Sequence, residues 1–269
     1  MSDFKDVFVW REQGIGDEVM YSSMFPELSS KSGNLIIECD SRLISLYERS
    51  FSKKIKFVTD RNKVCETDYD AHISAGSLLK HLRGSIDDFR QISSGWLKAD
   101  FGKTQGIRKK LKADSVDKII GVSWLTKASY VKSKERNISL NVLAEYLLKI
   151  PGKYVSLQYG DTTEELSQVS RQTGVDIINF EEIDNFKDID SLASLISACD
   201  LIVSIDNSTV HLAGALGIDT RVLLPEVADE RWGLASTESY WYDSVTLYRQ
   251  KTQGDWSDPL TRLVRDLTN

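Results

Sequence analysis

Cysteine, histidine and proline are scarce in this chain of 269 residues, with three, three and four copies. Cys39, Cys65 and Cys199 show no CxxC spacing, and Cys39 and Cys199 sit in apolar contexts. So odd and sparse a set fits neither a disulfide framework nor a zinc site and reads as reduced thiols of the cytoplasm. Three scattered histidines form no HExxH-type cluster, so no metal is expected. The few prolines argue against disordered linkers. No run approaches the roughly 18 consecutive apolar residues of a transmembrane helix. The start, MSDFKDVFVW, lacks the basic region and cleavage site of a signal peptide. Positive charge is not in excess either: 34 Lys and Arg against 40 Asp and Glu give −6. A nucleic-acid partner, which needs a basic footprint, is therefore not expected. A local basic cleft for a small anion is still compatible with this balance.

What is present is a regular alternation of strand and helix. Residues 5–10, 34–39, 54–58 and 69–74 read as strands, with helical runs over 18–30 and from Ser41. The stretch 84–117 is polar and mixed, with four glycines, and its latter part reads as a join. A second series follows. Its strands are 118–124, 153–157, 175–179, 201–205 and 220–224. Its helices are 139–149, 162–172, 188–199 and 207–216. Ser139 is a plausible N-cap, and Pro151–Gly152 a stop. Alternating βα units of this length imply parallel sheets with right-handed crossovers. The expectation is an α/β protein of two Rossmann-like lobes, residues 1–115 and 116–269, facing a cleft. The tail 256–267 has Leu260, Leu263, Val264 and Leu267 at helical spacing.

The most informative segment runs from Leu201 to Gly217. An apolar strand ends at Ser204–Asp206 and a small-residue helix begins at once, with Ser208 and His211 on one face. A helix N-terminus at the carboxyl edge of a parallel sheet is a ready anion site. The amides of Ser208, Thr209 and Val210, the hydroxyls and His211 have the chemistry to hold a diphosphate. The same residues also make an ordinary helix capped by Asp206 or Asn207, and physics alone does not choose. Likewise Gln13-Gly14-Ile15-Gly16-Asp17 is either a strand-to-helix turn with a capping acid or a loop that brings a ligand close to the backbone. It is not GxGxxG, which counts against a dinucleotide site. Residues 127–136 carry four cations just past a strand end. Arg231–Trp232 and Tyr240–Tyr242 are aromatic-rich, suited to a sugar pocket or to lobe packing.

SxDxSxxHLAGALG, matched by residues 204–217, resembles the donor-site motif of GT-B glycosyltransferases of the heptosyltransferase-like group, family 9. It is more similar still to the glycosyltransferase region that follows tetratricopeptide repeats in many bacterial proteins. Further segments resemble that region in the same order: VFVWREQGIGDEVMYSSMFPEL, AHISAGSLLKHL, GVSW, the helix start Ser139–Leu143, YVSLQYGD, and DERWGLASTESYWYDSVTLYRQ with GDW. The likeness extends from about Val7 to Leu267. It departs from the group where the helical repeats are absent, where Glu226 follows LLP in place of a frequent aromatic, and where Leu125–Ala128 replaces Gly-Asn-Pro.

The resemblance implies a GT-B fold whose closing helix crosses back over the first lobe. It implies metal-independent, inverting transfer of a sugar from a nucleotide-diphosphate sugar to an acceptor hydroxyl, with no further cofactor. Asp17 would be the general base. Ser123, Trp124, Lys127, Arg136, Gln158, Asp206, Ser208, Thr209, Val210 and His211 would hold the donor, Lys127 and Arg136 at the phosphates and Gln158 at the base. Gln13, Gly14, Gly16 and His72 would face the acceptor. The acceptor would be a glycan, a lipid-linked glycan or a protein, small or presented by a separate partner. A non-catalytic nucleotide- or glycan-binding module, and a sugar-nucleotide epimerase or hydrolase, are the competing readings.

Overall fold

The computed structural model describes residues 5–91, 95–112, 118–126 and 135–268. Its chain builds two parallel sheets. The first holds β1 (Val7–Trp10), β2 (Leu35–Glu38), β3 (Ile55–Val58) and β4 (Ala71–Ser74) in the order β3-β2-β1-β4. The second holds β5 (Ile119–Ser123), β6 (Lys153–Ser156), β7 (Ile177–Ile178), β8 (Leu201–Ile205), β9 (Thr220–Leu224) and β10 (Val245–Arg249) in the order β10-β9-β8-β5-β6-β7. Central strands are apolar throughout: β5 and β8 are buried at every residue, as strands covered on both faces must be. Strand order reverses at β1 in one sheet and between β5 and β8 in the other. These are the switch points at which such sheets leave a crevice.

The helices are α1 (Ile15–Tyr21), α2 (Phe25–Lys31), α3 (Ile44–Ser50), α4 (Leu79–Leu82), α5 (Phe101–Lys112), α6 (Leu140–Leu147), α7 (Thr163–Thr173), α8 (Ile189–Ala198), α9 (Ser208–Ala215) and α10 (Ser257–Thr268). The α/β class and paired parallel sheets agree with the sequence reading. The boundary placed between 115 and 116 lies outside the described residues. Two elements differ from expectation. The polar join contains a full helix, α5, which packs on α8 through Leu111, while Arg108 donates to the Ala198 carbonyl at 2.7 Å. Its two glycines and run of lysines hid it from a periodicity argument. The closing helix α10 does not cross to the first sheet. Its buried Leu260 and Leu263 join a core with Ile120, Leu143 and Tyr248, and it packs on α6, β9 and β10. The strand β10 beneath it, ending in Leu247-Tyr248-Arg249, was not anticipated.

The lobes meet where α1 lies against α9. Gly16 makes this possible: a Cβ there would sit 2.9 Å from His211 Cδ2 and 3.6 Å from Ser208 Cα. Further on, the Leu97 amide donates to the Ala215 carbonyl at 2.9 Å, and Trp96 stacks on Tyr242. Gly16→Ala should therefore destabilise the protein by roughly 1–3 kcal/mol, the usual cost of overpacking. Gly106→Ala, inside α5 with open space around it, should instead stabilise it by about 0.5–1 kcal/mol. Urea unfolding of the two variants checks both signs. Equal effects would mean that the lobe contact is not tight at Gly16.

Candidate functional site at the junction of the two sheets

A cavity of about 460 Å³ opens at the carboxyl ends of β1, β5 and β8. Its first-lobe wall is the turn after β1. Gly14 starts α1 with an extended backbone, and Asp17, three residues on, reaches back so that the Gly14 amide donates to its Oδ2 at 3.3 Å. The capping reading of Asp17 is thus correct. Its other oxygen, Oδ1, points across the cleft and receives Arg231 Nη1 at 2.5 Å.

Arg231 comes from a short turn, Glu230–Trp232, capped by Asp229. Its Nε and Nη2 bind the two Asp229 oxygens at 2.8 and 3.2 Å. Asp229 also lies 3.7 Å from Arg136, which pairs with Asp206 at 2.8 Å. The result is one chain of charge, Asp17–Arg231–Asp229–Arg136–Asp206, spanning both lobes. Burial works against the Arg231 charge, but Asp229 and Asp17 outweigh it and raise its pKa. Burial likewise opposes ionisation of Asp229, yet the Arg231 hydrogen bonds hold its carboxyl below the usual range. At Asp206 burial dominates and pushes the carboxyl up, against the pull of Arg136.

The surroundings of His211 disfavour a charged ring. Burial, reinforced by the charge of Arg231, pushes its pKa well down, so the ring is neutral at physiological pH. Its Nδ1 sits 2.8 Å from the Tyr242 hydroxyl and the ring stacks on Trp232 at 5.4 Å. The residue is buried yet forms part of the cavity wall.

At the start of α9 one of the two expected caps is realised. Asn207 is the cap, and its Oδ1 takes the Thr209 amide at 3.0 Å, while the Val210 amide bonds to the Asn207 carbonyl at 3.2 Å. Thr209 and Val210 are buried and do not line the cavity. Ser208 and Asn207 do. Gln158, expected at a nucleotide base, is instead a buried cross-link. Its Oε1 accepts from Ser123 Oγ, the Trp124 amide and the Leu125 amide at 3.1, 3.0 and 2.9 Å. Ser123 also receives Asn207 Nδ2 at 2.8 Å, and the buried Trp124 indole donates to Glu165 at 3.1 Å. Ser123, Trp124 and Gln158 therefore brace the strand ends without facing the cavity. Lys127 lies outside the described residues. His72 is exposed on the edge strand β4, against Tyr69, beside a small apolar recess away from the cleft. Gln13 faces a second recess, about 440 Å³, whose wall includes Tyr21, Asp229 and both arginines. Gly14, Gly16, Asp17, Arg136, Asp206, Ser208 and His211 do come together on the cavity.

Several cavity residues were not selected from sequence. Arg42 reaches from the first lobe, its Cζ 4.8 Å above the Phe186 ring and its Nη1 donating to the Phe186 carbonyl at 2.9 Å. Tyr159 lies 6.0 Å from the same ring. Asn185 donates to the Gln158 carbonyl at 3.2 Å, and its buried Oδ1 has no hydrogen-bond partner among the described residues. Asp229 gave one readable signal, a capping acid two residues before an arginine. Asn185 and Phe186 gave none.

No protein-family model matches the chain. Protein FlbA of Caulobacter vibrioides is 29% identical over 98% of the chain, which spans only 46% of that protein's length. A family 9 glycosyl transferase from Veillonella parvula superposes with a TM-score of 0.60 at 14% identity, covering 92% of this chain and 86% of the other. The ADP-heptose lps heptosyltransferase II of E. coli gives 0.58 at 13%, covering 98% and 97%. The E. coli heptosyltransferase WaaC, solved with ADP-2-deoxy-2-fluoro heptose, gives 0.58 at 10%, covering 97% and 99%. The chain thus has the GT-B fold, the two-sheet architecture of these glycosyltransferases. Among the described residues no helix is long and apolar enough to cross a membrane.

The bracing role of Gln158 has a consequence for stability. Gln158→Leu strands two buried donors and one half-buried, so unfolding free energy should fall by at least about 2 kcal/mol, at roughly 1–3 kcal/mol per orphaned group. Unchanged denaturant stability in that variant would return Gln158 to a ligand-reading role.

Proposed function

We propose that this chain is a metal-independent, inverting glycosyltransferase that moves a sugar from a nucleotide-diphosphate sugar to an acceptor hydroxyl. One observation carries the reading: Asp17 of the first lobe and Arg231 and Arg136 of the second converge on a single cavity at the switch points of both sheets. In this reading residues 1–115 serve the acceptor and 116–269 the donor.

The Asp17 carboxylate takes the proton of the acceptor hydroxyl. That oxygen attacks the anomeric carbon from the face opposite the diphosphate, forming the new C–O bond. The bond from the anomeric carbon to the diphosphate oxygen breaks, and its electron pair leaves with the nucleoside diphosphate. Arg231, Arg136 and the positive end of α9 at Ser208 stabilise the charge that grows there. Neutral His211 walls the site, backed by the buried Trp232 stacked on it. Asn185 Oδ1 is an acceptor available to a donor-bearing ligand, and Tyr159 and Phe186 offer apolar faces at the rim. Because the chain spans under half of FlbA, the acceptor and its presentation are also proposals. We favour a glycan, lipid-linked glycan or protein, small or brought by a separate partner, in the cytoplasm.

The first test is a thermal-shift screen of UDP-, GDP-, ADP-, CMP- and dTDP-sugars, since a ligand that binds the folded state alone raises the melting temperature. Turnover of the stabilising sugar nucleotide is then followed with cell extract as acceptor source. Asp17→Asn keeps a side-chain oxygen that can accept from the Gly14 amide but removes the base. Its turnover should fall by roughly 10²–10⁴. Near-normal turnover would contradict the catalytic assignment. Activity should survive EDTA. Loss on chelation with recovery in manganese would overturn the metal-independent mechanism.

A further inference from the structure

Resting on that reading, we infer that Arg231 is a catalytic residue which binds the donor diphosphate and, before the donor arrives, holds Asp17 through the same nitrogen, so that donor binding releases the base. The geometry of one guanidinium carries this. Two of its nitrogens are committed to Asp229, as a bidentate pair within the Arg231 turn. That anchor fixes the plane of the group and leaves Nη1 as the arm that faces the other lobe. Nη1 holds Asp17 Oδ1, 214 residues away in the chain. Arg231 also lines both the main cavity and the adjoining recess. An anion entering the cavity at Ser208 therefore meets Nη1 already paired with a carboxylate. Arginine favours phosphate oxygens as it does carboxylates, and the Nη1 N–H directed at Asp17 cannot serve a phosphate oxygen fully at the same time.

The other partner completes the argument. Asp17 has both oxygens engaged, Oδ2 by the Gly14 amide and Oδ1 by Arg231. An acceptor hydroxyl needs one of them. Transfer of Nη1 from Asp17 to a phosphate oxygen clears the side of Oδ1 that faces the cavity, where the hydroxyl can place its hydrogen bond and then its proton. The charge balance is kept: one anion replaces another at the guanidinium, and Asp229 stays bound throughout. The acceptor is thus activated only once the donor is in place, and an unloaded site leaves its base latched.

Coupling of this kind is reciprocal, so it is measurable from the phosphate side without any acceptor. The probes are inorganic pyrophosphate, ADP, GDP and UDP, titrated calorimetrically into wild-type protein, Asp17→Asn, Arg231→Gln, Arg231→Lys and the double variant Asp17→Asn/Arg231→Gln. Removing the competing carboxylate should tighten binding of the diphosphate that the wild type takes, by about fivefold or more, the low end of coupling between linked sites. Arg231→Gln should weaken it about tenfold or more, Arg231→Lys should recover part of that, and the gain from Asp17→Asn should vanish in the Arg231→Gln background. Thermal melts establish which variants are folded, and the Asp17→Asn arm stands alone should loss of Arg231 unfold the protein. Unchanged or weaker binding in Asp17→Asn would overturn the inference while leaving the donor site standing. So would an equal gain with and without Arg231, which would reduce Asp17 to simple charge repulsion. A wild-type protein that binds none of the probes would overturn the proposed function itself, and this inference with it.

Discussion

The contact of α1 with α9 at Gly16 is the constraint on which the rest of the molecule depends. Both helices start at the carboxyl ends of central strands, β1 and β8, where each sheet leaves its crevice. Bringing them together with no side chain between makes one cavity from two crevices. It also buries His211, which burial keeps neutral, and places Asp17 within reach of Arg231. A larger residue at position 16 would push the lobes apart at the very place where their charges meet.

Those charges are arranged for position more than for stability. Two arginines and three carboxylates alternate across the junction, so each arginine has an acid on either side. Partly buried ion pairs recover little more than their desolvation cost, and apolar replacements are often as stable. What such a chain does supply is register between the lobes and cations that face the cavity. Stability comes instead from two cores. One runs through both lobes, from Val9 and Leu46 to Leu195 and Leu247. The other is closed by α6 and α10 behind the second sheet.

The alternation of apolar strands and helices made the two-sheet architecture legible, because parallel strands buried on both faces write themselves as Leu, Ile and Val runs. Its failures have physical causes. Helix α5 packs through few apolar side chains amid lysines, so its period was faint. Strand β10 ends in charged and polar residues that a buried edge still accommodates. At the site, the turn Gly14–Asp17 and the segment Asp206–Ser208 were legible because backbone geometry dictates their residue types. Thr209, Val210, Ser123, Trp124 and Gln158 stand behind the cavity wall, not on it, for a common reason. A motif marks which residues shape a site, and shaping is done as much by buried cross-links as by groups that touch a ligand. The cavity rim formed by Arg42, Tyr159, Asn185 and Phe186 was not legible, since it is assembled from separate loops that meet only once the lobes have docked.

The central claim is that the junction cavity takes a nucleotide diphosphate, with its phosphates between the start of α9 and the arginines of the charge chain. A crystal structure of the protein grown with the nucleotide sugar that most raises its melting temperature tests this most directly. The account predicts phosphate oxygens within hydrogen-bond distance of Arg231 and the Ser208 amide or hydroxyl, with Asp17 turned toward the anomeric carbon. Density for the nucleotide in another recess, or phosphates directed away from Arg231 with the Asp17 pair intact, would contradict it.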